Sequence, residues 1–163
     1  MPRKCIAAVL LLVMIAHPFV AEATSWNKVR YNGGPVQTKV DPKDWNNTLT
    51  ITPELIEFTL NDGQNVRVSP QQVTGLTYGQ EAHRHVALMT SLGVIVTPLA
   101  LFGLFHMQRL HFIGVEYAAG DSAHGGLLIQ GANDNYRAIL FSLKSVTGKT
   151  VQTNAEDAKY VNP

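Results

Sequence analysis

The residues of this chain best suited to chemistry near neutral pH are its six histidines. His83 and His85 precede a long uncharged run, His106 and His111 follow it, and His124 lies further on. Clustered imidazoles bind zinc or copper, provided the fold brings three or four of them together. Here that requires the run between them to fold back on itself. No H-E-x-x-H spacing is present, so no metal is assigned. The competing reading is a polar collar at a membrane interface, and it is preferred. Arg84 and Arg109 stand in the same flanks and suit lipid phosphates or snorkelling. The candidate interface residues are therefore Arg84, His85, His106 and Arg109. No catalytic residue and no cofactor is assigned, since neither a G-x-S-x-G turn nor a P-loop occurs. Asp41 and Asp44 form a carboxylate pair, but in a turn-rich stretch they read as turn formers.

The element that must position these flanks is residues 86–105, which carry no charge. Twenty residues of α-helix span about 30 Å, the thickness of a hydrocarbon core. Pro98 kinks or breaks a helix, and Gly93 and Gly103 weaken it. Three readings stand: a single span, a hairpin that enters and leaves by one face, and an apolar helical pair packed in protein. The strands on both sides look like parts of one domain, and neither part alone buries enough core. Both flanks then belong on one side, which favours the hairpin.

The front end reads as an export signal. Arg3 and Lys4 precede an apolar run, and Ala21-Glu22-Ala23 is a small-x-small cleavage site. Residues 1–23 are the expected signal peptide, with an uncleaved anchor as the alternative. Cleavage removes Arg3, Lys4 and Glu22 from 13 basic and 12 acidic residues, leaving 11 of each. A neutral chain gives no electrostatic case for nucleic acid. Cys5 is the single cysteine, so the mature chain has no disulfide or thiolate chemistry. An exported, periplasmic or extracytoplasmic location follows as an expectation.

Residues 24–47 read as a polar N-terminal segment, with a short strand over Val36–Val40 and Trp45 plugging one end of the core. From Thr48 the pattern alternates. Leu49 and Ile51, then Ile56, Phe58 and Leu60, fall on one face, and Asn61-Asp62-Gly63-Gln64 marks a hairpin. Val66 and Val68 follow, then a break at Ser69-Pro70, then Val73, Leu76 and Tyr78. Strands resume over Leu110–Tyr117 and Gly125–Gln130. Tyr136, Ile139, Leu140, Leu143 and Val146 then share one helical face. Asn133 or Asp134 caps its start and Gly148 its end. Residues 148–163 read as a flexible tail.

This order resembles the pleckstrin-homology-like superfold, including bacterial PH-like and GRAM-like domains. The stretches Leu49–Phe58 and Val73–Tyr78 look like its opening strands, and Leu110–Tyr117 like the strand that resumes it. The layout is also similar to secreted bacterial proteins that carry an apolar insertion. The resemblance implies a mainly β domain over 48–147, an antiparallel sheet or barrel with a C-terminal α-helix, interrupted by an apolar helical insertion at 86–105. No phosphoinositide-binding basic loop is visible. The expected function is a non-enzymatic, membrane-associated binding or scaffolding module, with membrane lipid or membrane protein as partner. The alternatives are a soluble oligomeric interaction protein packed through 86–105, or a small histidine-cluster metal protein.

Overall fold

Alternation of apolar and polar residues builds most of this protein. In Leu49-Thr50-Ile51 and Ile56-Glu57-Phe58 the apolar side chains are buried and the polar ones are not. That is a sheet with one face packed and one face wet. The computed structural model describes residues 23–41, 43–80, 95–96, 110–120 and 123–161. Among these residues nine strands form one sheet: β1 (Thr24–Gly34), β2 (Asn47–Ile51), β3 (Ile56–Thr59), β4 (Asn65–Val68), β5 (Val73–Gly79), β6 (Ile95–Val96), β7 (His111–Ala118), β8 (His124–Gly131) and β9 (Val151–Gln152). A 3-10 turn (Pro70–Gln72) separates β4 from β5. Two helices follow β8: α1 (Tyr136–Thr147) and, after β9, the single turn α2 (Ala158–Val161).

The strand order is β4-β3-β2-β1-β8-β7-β5-β9, with β6 paired to β1. Every pair is antiparallel except β5 with β9. Helix α1 touches both β2 and β5, which lie far apart in that order. The sheet therefore curves around the helix. Ile139 and Leu143 of α1 join Leu49, Phe58, Leu76, Ile113 and Ile129 in one buried cluster.

The strands expected from Thr48 to Tyr78 and from Leu110 onward are present, and so is the hairpin. Gly63 has φ 85°, the Leu60 N–H donates to Gln64 O at 2.8 Å, and the Gln64 N–H donates to the Asp62 carboxylate at 3.0 Å. Helix α1 ends at Gly148, whose φ of 66° is the left-handed cap foreseen for it. Its start differs from expectation. Asn135, not Asn133 or Asp134, precedes the first turn; its amide oxygen takes the Ala132 N–H at 2.8 Å and its amide nitrogen donates to Lys28 O at 2.8 Å.

Residues 24–34, read as part of a polar lead-in, form the long strand β1 at the middle of the sheet. Its outer residues are polar, which hid it, but Val29 and Tyr31 point into the core. Register shifts between Trp26 and Val29 and between Tyr31 and Gly33 bend it, so its first part pairs with β2 and its last with β8. Val36–Val40 is not a strand. The Tyr31 hydroxyl holds it instead, donating to Val36 O at 2.9 Å and accepting from the Val36 N–H at 3.2 Å. Of the apolar insertion expected to be helical, only Ile95–Val96 is described. These two residues are extended and pair with Gly34 and Gly33. Both are β-branched, which suits a strand. Among the described residues no helix is long and apolar enough to cross a membrane. The tail also carries structure, as β9 pairs with β5 and α2 follows.

Candidate functional site

The site is built where the ends of β5 and β7, the start of α1 and the tail meet. Tyr78 near the end of β5 and His111 at the start of β7 are both buried. Their hydrogen bond, Tyr78 hydroxyl to His111 Nδ1, is 2.7 Å. The first residue of α1, Tyr136, lies flat on the His111 ring, with centroids 3.6 Å apart and planes 3° from parallel. Tyr78 stacks on Tyr136 in turn, at 5.7 Å. From the tail, Tyr160 meets the His111 ring edge-on at 6.4 Å.

Burial is the main influence on the titration of His111 and Tyr78. It pushes the His111 pKa below 6.5, and the Arg137 cation adds to that, while a hydrogen bond with the Asn133 side chain and the Asp157 charge oppose it. Burial also raises the Tyr78 pKa far above the usual phenol range, with Tyr136 and Asp157 adding to the rise. Asp157 is itself buried and accepts the Gln80 backbone N–H at 3.2 Å. Its own N–H donates to the Asn154 side chain at 2.7 Å. Asp157 is thus held between the tail and the residue that follows β5.

Directly outside the stack is an open cleft of 490 Å³ between α1 and α2. Arg137, Ala138, Leu140, Phe141 and Lys144 of α1 line one wall, and Tyr160 and Val161 of α2 the other. Phe141 is 73% exposed, the large apolar side chain that stands out among the described residues. Arg137 is anchored: its Nε donates to the Tyr136 hydroxyl at 2.9 Å and its guanidinium lies 5.6 Å from that ring centroid. Lys159 Nζ sits 5.2 Å over the Tyr160 ring. The cleft therefore has an apolar floor and a cationic rim, a form that suits a partner with apolar and acidic groups.

The interface residues read from the sequence, Arg84, His85, His106 and Arg109, all lie outside the described residues, as does His83. Of the histidine set, His111 is an aromatic-stacked core residue and His124 is an exposed strand end. Among the described residues no group of three metal-ligating side chains comes together. Asp41 and Asp44 do form turns, accepting the Lys43 and Asn46 N–H groups at 2.8 Å. Trp45 does not plug the core. It is half-buried, with the Arg30 guanidinium 3.9 Å above its ring. Phe141 escaped the sequence reading, yet a signal existed: it is apolar and falls off the face defined by Tyr136, Ile139, Leu140 and Leu143.

No family model and no curated protein matches the chain. Among solved structures the chain is similar to one titled "Structure of the Spt16D Pob3N heterodimer", with a TM-score of 0.49 at 7% sequence identity. The match covers 82% of this chain and 55% of the other, so this chain spans little more than half of that neighbour's length.

Proposed function

We propose that this chain is a PH-like, non-enzymatic binding module, exported and held at a membrane, which meets its partner through the cleft between α1 and α2. The observation that carries the binding role is Phe141, left exposed beside two cations on a helix whose opposite face is fully packed. Aromatic side chains and arginine are enriched at contact sites, and here both line one concave surface.

Export rests on the sequence of residues 1–23, and one structural fact supports it. The expected cut after Ala23 falls immediately before β1, which begins at Thr24. Cleavage there leaves the central strand whole. Membrane association rests on the charge-free run at 86–105 and its basic flanks. The partner class is a membrane protein or membrane lipid.

The test is to express the full chain in a secreting host, sequence the N-terminus of the product and fractionate the cells. A chain starting at Thr24, outside the cytoplasm and released from membranes only by detergent, supports the reading. An intact Met1 in the cytosolic fraction overturns it.

A further inference from the structure

We infer that the α1/α2 cleft receives an acidic amphipathic helix of a protein partner. This deepens the binding reading above and rests on it. Arg137, Phe141 and Lys144 stand at positions i, i+4 and i+7 of α1, so they form one stripe along the cleft, with Arg137 and Phe141 exposed and Lys144 part-buried: cation, aromatic ring, cation. The two cations lie about 10 Å apart along the helix axis. A partner helix that offers an apolar side chain with carboxylates about a turn to each side matches this spacing. Lys159 does not line the cleft but stands over the ring of Tyr160, which does.

Among the described residues no carboxylate opposes these charges inside the cleft. The lining residues include none. Asp134, one turn earlier, faces Lys28 at 3.9 Å, and Asp157 is buried behind the wall with the Gln80 N–H. Charge complementarity therefore selects an acidic partner over a basic one. Shape selects a side-chain row over a flat surface, because the cleft is a trough with α2 as its second wall. Insertion of apolar anchors at helical spacing into such a trough is a general mode of peptide recognition. Anchoring of Arg137 by Tyr136 reduces the ordering that binding requires.

The probe is a synthetic helical peptide with leucines at i, i+4 and i+7 and glutamates on both flanks of that stripe, titrated into the purified full chain. Saturable binding is expected. Phe141→Ser should weaken it at least tenfold, and the Arg137→Glu, Lys144→Glu double variant similarly. A second peptide with lysines in place of the glutamates should prefer the double variant over the unaltered protein. That exchange of preference is beyond what a merely unfolded variant can produce. Absence of binding by the acidic peptide, or equal binding of both peptides to the unaltered protein, overturns the inference. Two other outcomes overturn it while leaving the cleft as a contact face: Phe141-dependent binding to phosphatidylglycerol vesicles, which makes the partner a bilayer, and a dimer that Phe141→Ser dissociates, which makes it a second copy. If Phe141→Ser alters none of these, the binding reading of the cleft falls as well.

Discussion

A buried histidine carries the clearest residue-scale consequence of this fold. His111 is 6% exposed, and burial lowers its pKa below the ordinary 6.5. The unfolded chain therefore takes up the proton at a higher pH than the folded one. Stability is fully present above 6.5, and it declines as pH falls through 6.5 toward the lower folded value. The exposed carboxylates act elsewhere. Asp44 is held below 3.8 by hydrogen bonds from Asn46 and Asn61, and Asp62 by those from Thr38 and Gln64, so their contribution is lost only in stronger acid. Urea midpoints should thus fall between pH 7.5 and 5.5, and His111→Gln should flatten that fall. An equal slope in the variant would assign the acid sensitivity to another group. Tyr31 gives a second prediction. Its hydroxyl both donates to and accepts from Val36, and burial lifts its pKa to about 12. Tyr31→Phe removes both bonds and should cost about 1–3 kcal/mol in chemical denaturation, while the ring's packing near Phe58 is kept.

At the scale of elements, the close approach of α1 to β8 depends on one missing side chain. A Cβ on Gly131 would stand 2.8 Å from Tyr136 Cβ and 3.0 Å from its Cα. The second contact is backbone, which cannot swing aside. Gly131→Ala should therefore push the first turn of α1 outward, destabilise the protein by about 1–3 kcal/mol and reduce the near-ultraviolet signal of the stacked tyrosines. An unchanged melting curve would mean that this joint is looser than the spacing says. Which elements the sequence announced follows from where the chain touches water. Strands β2, β3 and β4 are wet on one face, so alternation marked them. Helix α1 is packed on one side, so its period showed. Strand β1 defeated the reading because it pairs on both sides and bends twice, which broke its alternation over Trp26–Gly33. The site divides likewise. His111 and Tyr136 were visible as residues, but their stacking is a matter of long-range topology. The cleft needs α2, and a four-residue turn of helix has too few positions to show a period.

For the whole molecule, the tail is what ties the buried stack to the outer cleft. Strand β9 sets it down by pairing Val151 and Gln152 with Leu76 and Thr77 of β5, the one parallel join among the described strands. The chain then brings Asp157 to the Gln80 N–H and Tyr160 to the edge of His111. Tyr160 and Val161 also form the second wall of the cleft, so one short segment covers the histidine and shapes the cleft. Ending the chain at Gly148 removes both the cover and the wall. The apolar core should survive, because its buried residues run from Val29 to Leu143 and the apolar side chains that the tail adds are only partly buried. Without its cover His111 regains water. Burial is the largest cause of its lowered pKa, so that pKa should climb toward 6.5, although loss of the Asp157 charge acts in the opposite direction. Following the ring protons of His111 by NMR across pH 4–8 in the full and shortened chains measures this. Tyr160→Ala offers a gentler form of the same change. An upward shift with an intact far-ultraviolet spectrum would establish the tail as the lid of the stack. An unmoved pKa would show that Tyr78 and Tyr136 shield the ring by themselves, and the cleft would then be independent of the charge state beneath it.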